Sequence, residues 1–91
     1  MATYMVGYDL NKSGQNYPVL IKALESYSPR WHCLDSTWLI TSNETAIQIA
    51  NKLGHLIDSN DELLVLEITP QAAAAWVGFD EECAGWLKRN L

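Results

Sequence analysis

The stretch Trp31-His32-Cys33-Leu34-Asp35-Ser36-Thr37-Trp38-Leu39-Ile40-Thr41 decides how the chain folds. It holds two β-rich runs, Trp31 to Leu34 and Thr37 to Thr41. Between them Asp35-Ser36 has the composition of a tight turn or bulge. Read as two strands, the stretch places a strand pair in the middle of the chain. In the second run Trp38 and Ile40 project to one side, and Thr37, Leu39 and Thr41 to the other.

Working toward the N-terminus, apolar residues recur at Tyr17, Leu20, Ile21, Leu24 and Tyr27. That spacing makes one face of an amphipathic helix. Asn16 can cap it, Pro18 falls in its first turn, and Ser28-Pro29 ends it. Leu10 to Asn16 has a loop composition, and Thr3 to Asp9 reads as a strand ending at Asp9. Toward the C-terminus, Ser42-Asn43 can cap a second helix whose apolar face is Ala46, Ile47, Ile49, Ala50, Leu53 and Leu56-Ile57. Gly54 lies near its end. Asp58 to Asp61 is a polar turn. Glu62 to Ile68 is almost continuously apolar. It suits a central strand buried on both faces, or a strand with one buried face and a dimer contact on the other. Beyond Thr69, Pro70 and the Ala72 to Ala75 run predict a helix over Gln71 to Val77, broken by Gly78-Phe79. Asp80 to Asn90 predicts a last helix, with Asp80, Glu81 and Glu82 at its start and Lys88 and Arg89 at its end.

The order strand, helix, strand, strand, helix, strand predicts a ferredoxin-like β-α-β-β-α-β sandwich of the α+β class. One domain spans residues 1–91, with a core over 1–68 and a C-terminal helical tail over 69–91. Two helices on one face of a four-stranded sheet leave the other face to be covered. The tail or a second copy of the chain can do this, so a homodimer is expected.

The chain has 91 residues, a formal net charge of -5, and 48% apolar and 19% charged residues. This excludes a mainly disordered chain and argues against coating nucleic acid by bulk electrostatics. The six Lys and Arg residues are scattered, with no basic stripe. Cys33 and Cys83 fit one disulfide by count, but no C-x-x-C or zinc spacing is present, and both are read as reduced, buried small hydrophobes. No basic leader region precedes an apolar run, and no apolar stretch approaches the roughly 20 residues of a membrane span. A cytoplasmic location without membrane contact is expected.

Several short motifs carry a resemblance. Tyr8-Asp9-Leu10 follows the first strand, Ser36-Thr37-Trp38 follows the turn, and Ile57-Asp58-Ser59-Asn60-Asp61-Glu62 precedes the strand Leu63 to Ile68. Over residues 3 to 68 this pattern resembles the small CRISPR-associated adaptation nucleases (the second Cas protein) and their relative, virulence-associated protein D. Over nearly the whole chain, including an Ala-Trp-x-Gly-Phe tail, it is similar to short bacterial proteins labelled SinR-like. The resemblance implies a sheet-to-sheet homodimer in which Asp9 of each chain holds Mg²⁺ for phosphodiester cleavage of RNA or DNA. Hard carboxylate oxygens suit Mg²⁺, and a shared cation would relieve the repulsion of two such carboxylates. The sequence departs from the pattern where the family carries a basic stretch. Asn11 to Asn16 has one positive charge, Lys12.

Each candidate residue has two readings. Asp9 is a catalytic metal ligand at a dimer seam, or a carboxylate capping a strand end. Ser36 and Trp38 belong to that site, or serve as turn and as core or interface aromatic. His32 and Cys33 are strand neighbours that face opposite ways, which excludes a Cys-His nucleophile pair. His55 reads as surface, and Asp58 with Asp61 as a turn before a strand rather than a Ca²⁺ loop. Trp76, Phe79 and Trp86 are interface anchors, or the cover of the open sheet face. Two functions follow: a Mg²⁺-dependent nuclease or nucleic-acid-processing protein, and a non-catalytic dimeric module binding a protein partner in a defence or toxin–antitoxin setting.

Overall fold

Alternation of apolar side chains along four strands lets one sheet bury one face continuously, and that face organises the molecule. A computed structural model of the chain describes residues 1–11, 17–69 and 73–91. The elements are β1 (Ala2–Asp9), α1 (Tyr17–Glu25), β2 (Arg30–Leu34), β3 (Thr37–Ser42), α2 (Ala46–Gly54), β4 (Glu62–Ile68) and α3 (Glu81–Asn90). The strands form one antiparallel sheet in the order β2-β3-β1-β4. No helix among the described residues is long and apolar enough to cross a membrane.

The main core lies between the sheet and the first two helices. Tyr4 and Val6 of β1, Trp38 and Ile40 of β3, Leu20 and Leu24 of α1, and Ile49 and Leu53 of α2 are buried together. Full burial of one such aliphatic side chain is worth about 1.5–3 kcal/mol, so this cluster dominates stability. The β3 alternation is as expected, with Trp38 and Ile40 in this core and Leu39 on the opposite face. On that face Trp31, Leu39 and Leu87 form a smaller cluster, against which Met5, Ile68, Trp76, Phe79, Cys83 and Trp86 pack. The pairing of β2 with β3 is irregular between Trp31 and Leu34, next to the Asp35-Ser36 turn.

Four expectations are corrected. The strand Glu62–Ile68 is an edge strand with one buried face, not a central strand buried on both. Its Leu63 and Val65 pack on the main core, while Leu64 and Leu66 are 55% and 52% exposed. The second helix is capped by Thr45, not by Ser42-Asn43. The Thr45 side chain accepts from the Gln48 N–H, and the Gln48 side chain accepts from the Thr45 N–H. This reciprocal capping box satisfies two orphan donors, and Ser42 belongs to the end of β3. Residues 73–77 are not helical. Three alanines, Ala73 to Ala75, are too few to nucleate a helix alone, and Gly78 turns the chain with φ +90°. Finally, Cys33 and Cys83 are joined in a disulfide across 50 residues, with Cα atoms 6.3 Å apart. The fold brings β2 and α3 within reach, which the spacing in sequence does not reveal. Disulfides persist in oxidising compartments, so the reduced cysteines that supported a cytoplasmic location are absent. The expected loop over residues 12–16, the Asn16 cap and the start of the tail helix at Pro70 lie outside the described residues.

Candidate functional site

The pleat of β1 sends Tyr4, Val6 and Tyr8 to the helix side and Thr3, Met5, Gly7 and Asp9 to the other. At the C-terminal end of β1 the two faces have different jobs. On the helix side the Tyr8 hydroxyl accepts from Trp38 Nε1 at 3.1 Å and donates to the Asp35 carbonyl at 3.4 Å. The His32 ring stacks on Trp38 with centroids 3.8 Å apart, and its Nε2 lies 3.1 Å from the same carbonyl. These contacts pin the Asp35-Ser36 turn, and the Ser36 carbonyl accepts from the Tyr8 N–H at 3.1 Å.

On the opposite face lies an open hollow of about 390 Å³, lined in part by Gly7, Asp9, Ser36, Thr37, Glu62 and Leu64. Gly7 creates it by omission: a Cβ there would meet only the Ser36 carbonyl, 4.0 Å away. α3 packs toward the other end of this face, and among the described residues nothing covers the hollow. Asp9 and Glu62 are directly paired across β1 and β4, so both carboxylates rise on the same side. Like charges so placed repel, and a cation between them would remove the penalty. Asn11 secures the strand end. Its N–H donates to Asp61 Oδ1 at 2.7 Å, and its Nδ2 to the Asn60 carbonyl at 2.6 Å and Glu62 Oε1 at 3.4 Å. Asp61 Oδ2 accepts from the Asp58 N–H at 2.8 Å, so Asp61 closes a turn.

Asp9 and Glu62 offer hard oxygen donors of the kind Mg²⁺ takes, and Mg²⁺ is commonly held by one or two carboxylates plus water and substrate phosphates. Among the described residues no group of three or more His, Cys, Asp or Glu could hold a metal within one chain. Among the described residues no Lys or Arg lines the hollow.

The predicted site residues divide between the faces. Asp9 and Ser36 meet at the hollow. Trp38 is 2% exposed and packs inward, so it offers no surface to a partner. Trp76, Phe79 and Trp86 are half-buried against the smaller cluster of their own chain, with Phe79 edge-on to Trp31 at 5.2 Å. Cys33 is held in the disulfide, so no Cys-His pair exists. His55 is exposed at the end of α2 and makes a ring-nitrogen contact with the Asn51 carbonyl. Glu62 and Thr37 stand in the quoted motifs, but the sequence assigns neither a site role. Only the antiparallel register of β1 with β4 brings Glu62 to Asp9.

One further polar cluster stands on the helix side. Glu44 Oε1 accepts from Tyr27, Ser42 and Lys52 at 3.0, 3.1 and 3.0 Å. The Lys52 ammonium, followed by the Tyr27 and Ser42 hydroxyls, holds the Glu44 carboxyl below its ordinary range against some desolvation. Burial pushes the Tyr27 phenol up. Lys52 also sits 4.5 Å from the Tyr27 ring centroid, so the group ties α2 to the end of α1. Its bonding capacity is taken up internally.

No family model, curated protein or solved structure matches the chain.

Proposed function

We propose that the chain acts as a homodimer joined over the open end of its sheet, and that Asp9 and Glu62 hold Mg²⁺ there for cleavage of phosphodiester bonds in RNA or DNA. The pairing of Asp9 with Glu62 beside the uncovered hollow at Gly7 carries this reading. The element order, the strand sequence β2-β3-β1-β4 and the placement of α1 and α2 on one face support a ferredoxin-like fold. Leu64 and Leu66 next to the hollow supply the apolar surface for a second copy. The second copy would bring two more carboxylates, completing a donor set that one chain lacks. When bound, Mg²⁺ polarises a phosphate and activates water. Asp9 and Glu62 would hold the ion, and the Ser36 and Thr37 hydroxyls would orient water beside it.

Calorimetry with Mg²⁺ or Mn²⁺, run beside light scattering, tests the reading. Wild type should bind the ion as a dimer, and Asp9→Asn should stay dimeric with binding and cleavage lost. Cleavage retained in Asp9→Asn would sink the mechanism.

The paired carboxylates of Asp9 and Glu62 at the hollow favour a second reading. An acidic rim repels a phosphate backbone. Under this reading the chain is a non-catalytic dimeric module for a protein partner. A dimer that binds no divalent ion would support it.

A further inference from the structure

The far end of the same sheet face carries a different kind of chemistry. The Cys33–Cys83 bond ties α3 to β2, and both half-cystines are only half-buried. They line a surface cleft of about 250 Å³ together with Arg30, His32, Glu82 and Arg89. Among the described residues neither guanidinium is in an ion pair. Arg30, whose guanidinium also donates to the Tyr27 carbonyl at 3.4 Å, and Arg89 set two positive charges against the Glu82 carboxylate among the described lining residues, which makes the cleft attractive to an anion. The same charges stabilise a departing cysteine thiolate, and a better leaving thiolate exchanges faster.

α3 is otherwise lightly held. Leu87 is its one buried residue, and Trp31 Nε1 donates to the Cys83 carbonyl at 3.1 Å. A segment with few buried contacts opens at low cost.

We propose that Cys33–Cys83 is an exchange site for small acidic thiols, and that its cleavage releases α3 from the sheet. The incoming thiolate forms a bond to one Sγ. The Sγ–Sγ bond breaks, and its electron pair leaves on the other Sγ, which takes a proton from water. A second thiolate attacks the mixed disulfide and frees the remaining cysteine. Two small thiols are oxidised to one disulfide while the protein gains two electrons and two protons. Release of α3 uncovers Trp31 and Leu39, which extends the apolar surface already open at Leu64 and Leu66.

Intact mass spectrometry of the native chain, with reduced glutathione or cysteamine at equal thiolate concentration, tests the exchange. The acidic thiol should open the bond about tenfold faster than the cationic one, and Arg30→Gln with Arg89→Gln should erase the difference. Equal rates in wild type, or no exchange before the core unfolds, would overturn the site. Hydrogen exchange tests the release. On reduction the α3 amides should lose protection while β1 and β3 keep theirs, and Cys33→Ser with Cys83→Ser should match the reduced chain. Unchanged α3 protection in the reduced wild type would overturn the release.

Discussion

The two faces of the sheet are held by different means. The helix side buries Tyr4, Val6, Trp38, Ile40 and four leucine and isoleucine side chains of α1 and α2 in one cluster. The opposite side buries three residues, adds a disulfide, and leaves the end at Gly7 and Leu64 open. Apolar packing alone suffices where two helices lie on a sheet. A single ten-residue helix covers too little area for that, and a covalent tie makes up the difference. The face that packing does not fill is also the face where Asp9, Glu62 and the Cys33–Cys83 bridge are only partly covered.

The comparison breaks first at Trp38. Trp38→Ala removes the largest fully buried side chain, the support of His32 and a donor to Tyr8. A loss of about 3–5 kcal/mol is expected in urea unfolding, enough to abolish folding in a chain of this size. Cys83→Ser should cost less, roughly 2–4 kcal/mol, as expected for opening a loop of this length. Hydrogen exchange should place that loss at α3, with the main core still protected. An equal loss of protection on both faces would mean that they are one cooperative unit. Leu64→Asp should leave monomer stability within about 0.5 kcal/mol, because Leu64 is exposed. It should weaken self-association, read by sedimentation, by about tenfold or more if the open end is the dimer seam.

The smallest effect concerns Glu44. Its folded carboxyl titrates below the unfolded value near ~4.3, so its contribution is present above that value and fades as pH falls through the folded one. The pair with Lys52 is partly exposed, which limits the contribution to under about 1 kcal/mol. Glu44→Gln should therefore flatten the acid side of a stability–pH curve without moving its neutral plateau by more.

Much of the helix-side face was legible in the sequence, because its periodicities are local. Trp38 and Ile40 alternate with Leu39, and Ile49 and Leu53 lie one turn apart. The capping box from Thr45 to Gln48 was also written there, but Ser42-Asn43 offered a competing cap composition. The opposite face was legible at Asp9 and Ser36, and at Trp76, Phe79 and Trp86 as the cover of the open sheet face. An apolar run such as Glu62 to Ile68 reads alike whether a second strand or solvent lies beyond it, so its edge position was hidden. The alanines at 73–75 have high helix propensity, but they are too few for propensity to prevail. Cys33–Cys83 and Asp9–Glu62 are long-range pairings fixed by register and packing, which single-sequence spacing does not encode.

The disulfide also decides how the molecule would respond to force. A pull on the two chain ends runs through residues 1–33, crosses the sulfur bridge and continues through residues 83–91. β3, α2 and β4 lie inside the closed loop and bear no tension. Stretching would draw out β1, α1, most of β2 and α3 and then stop at a covalent limit, while the reduced chain would pay out its full length.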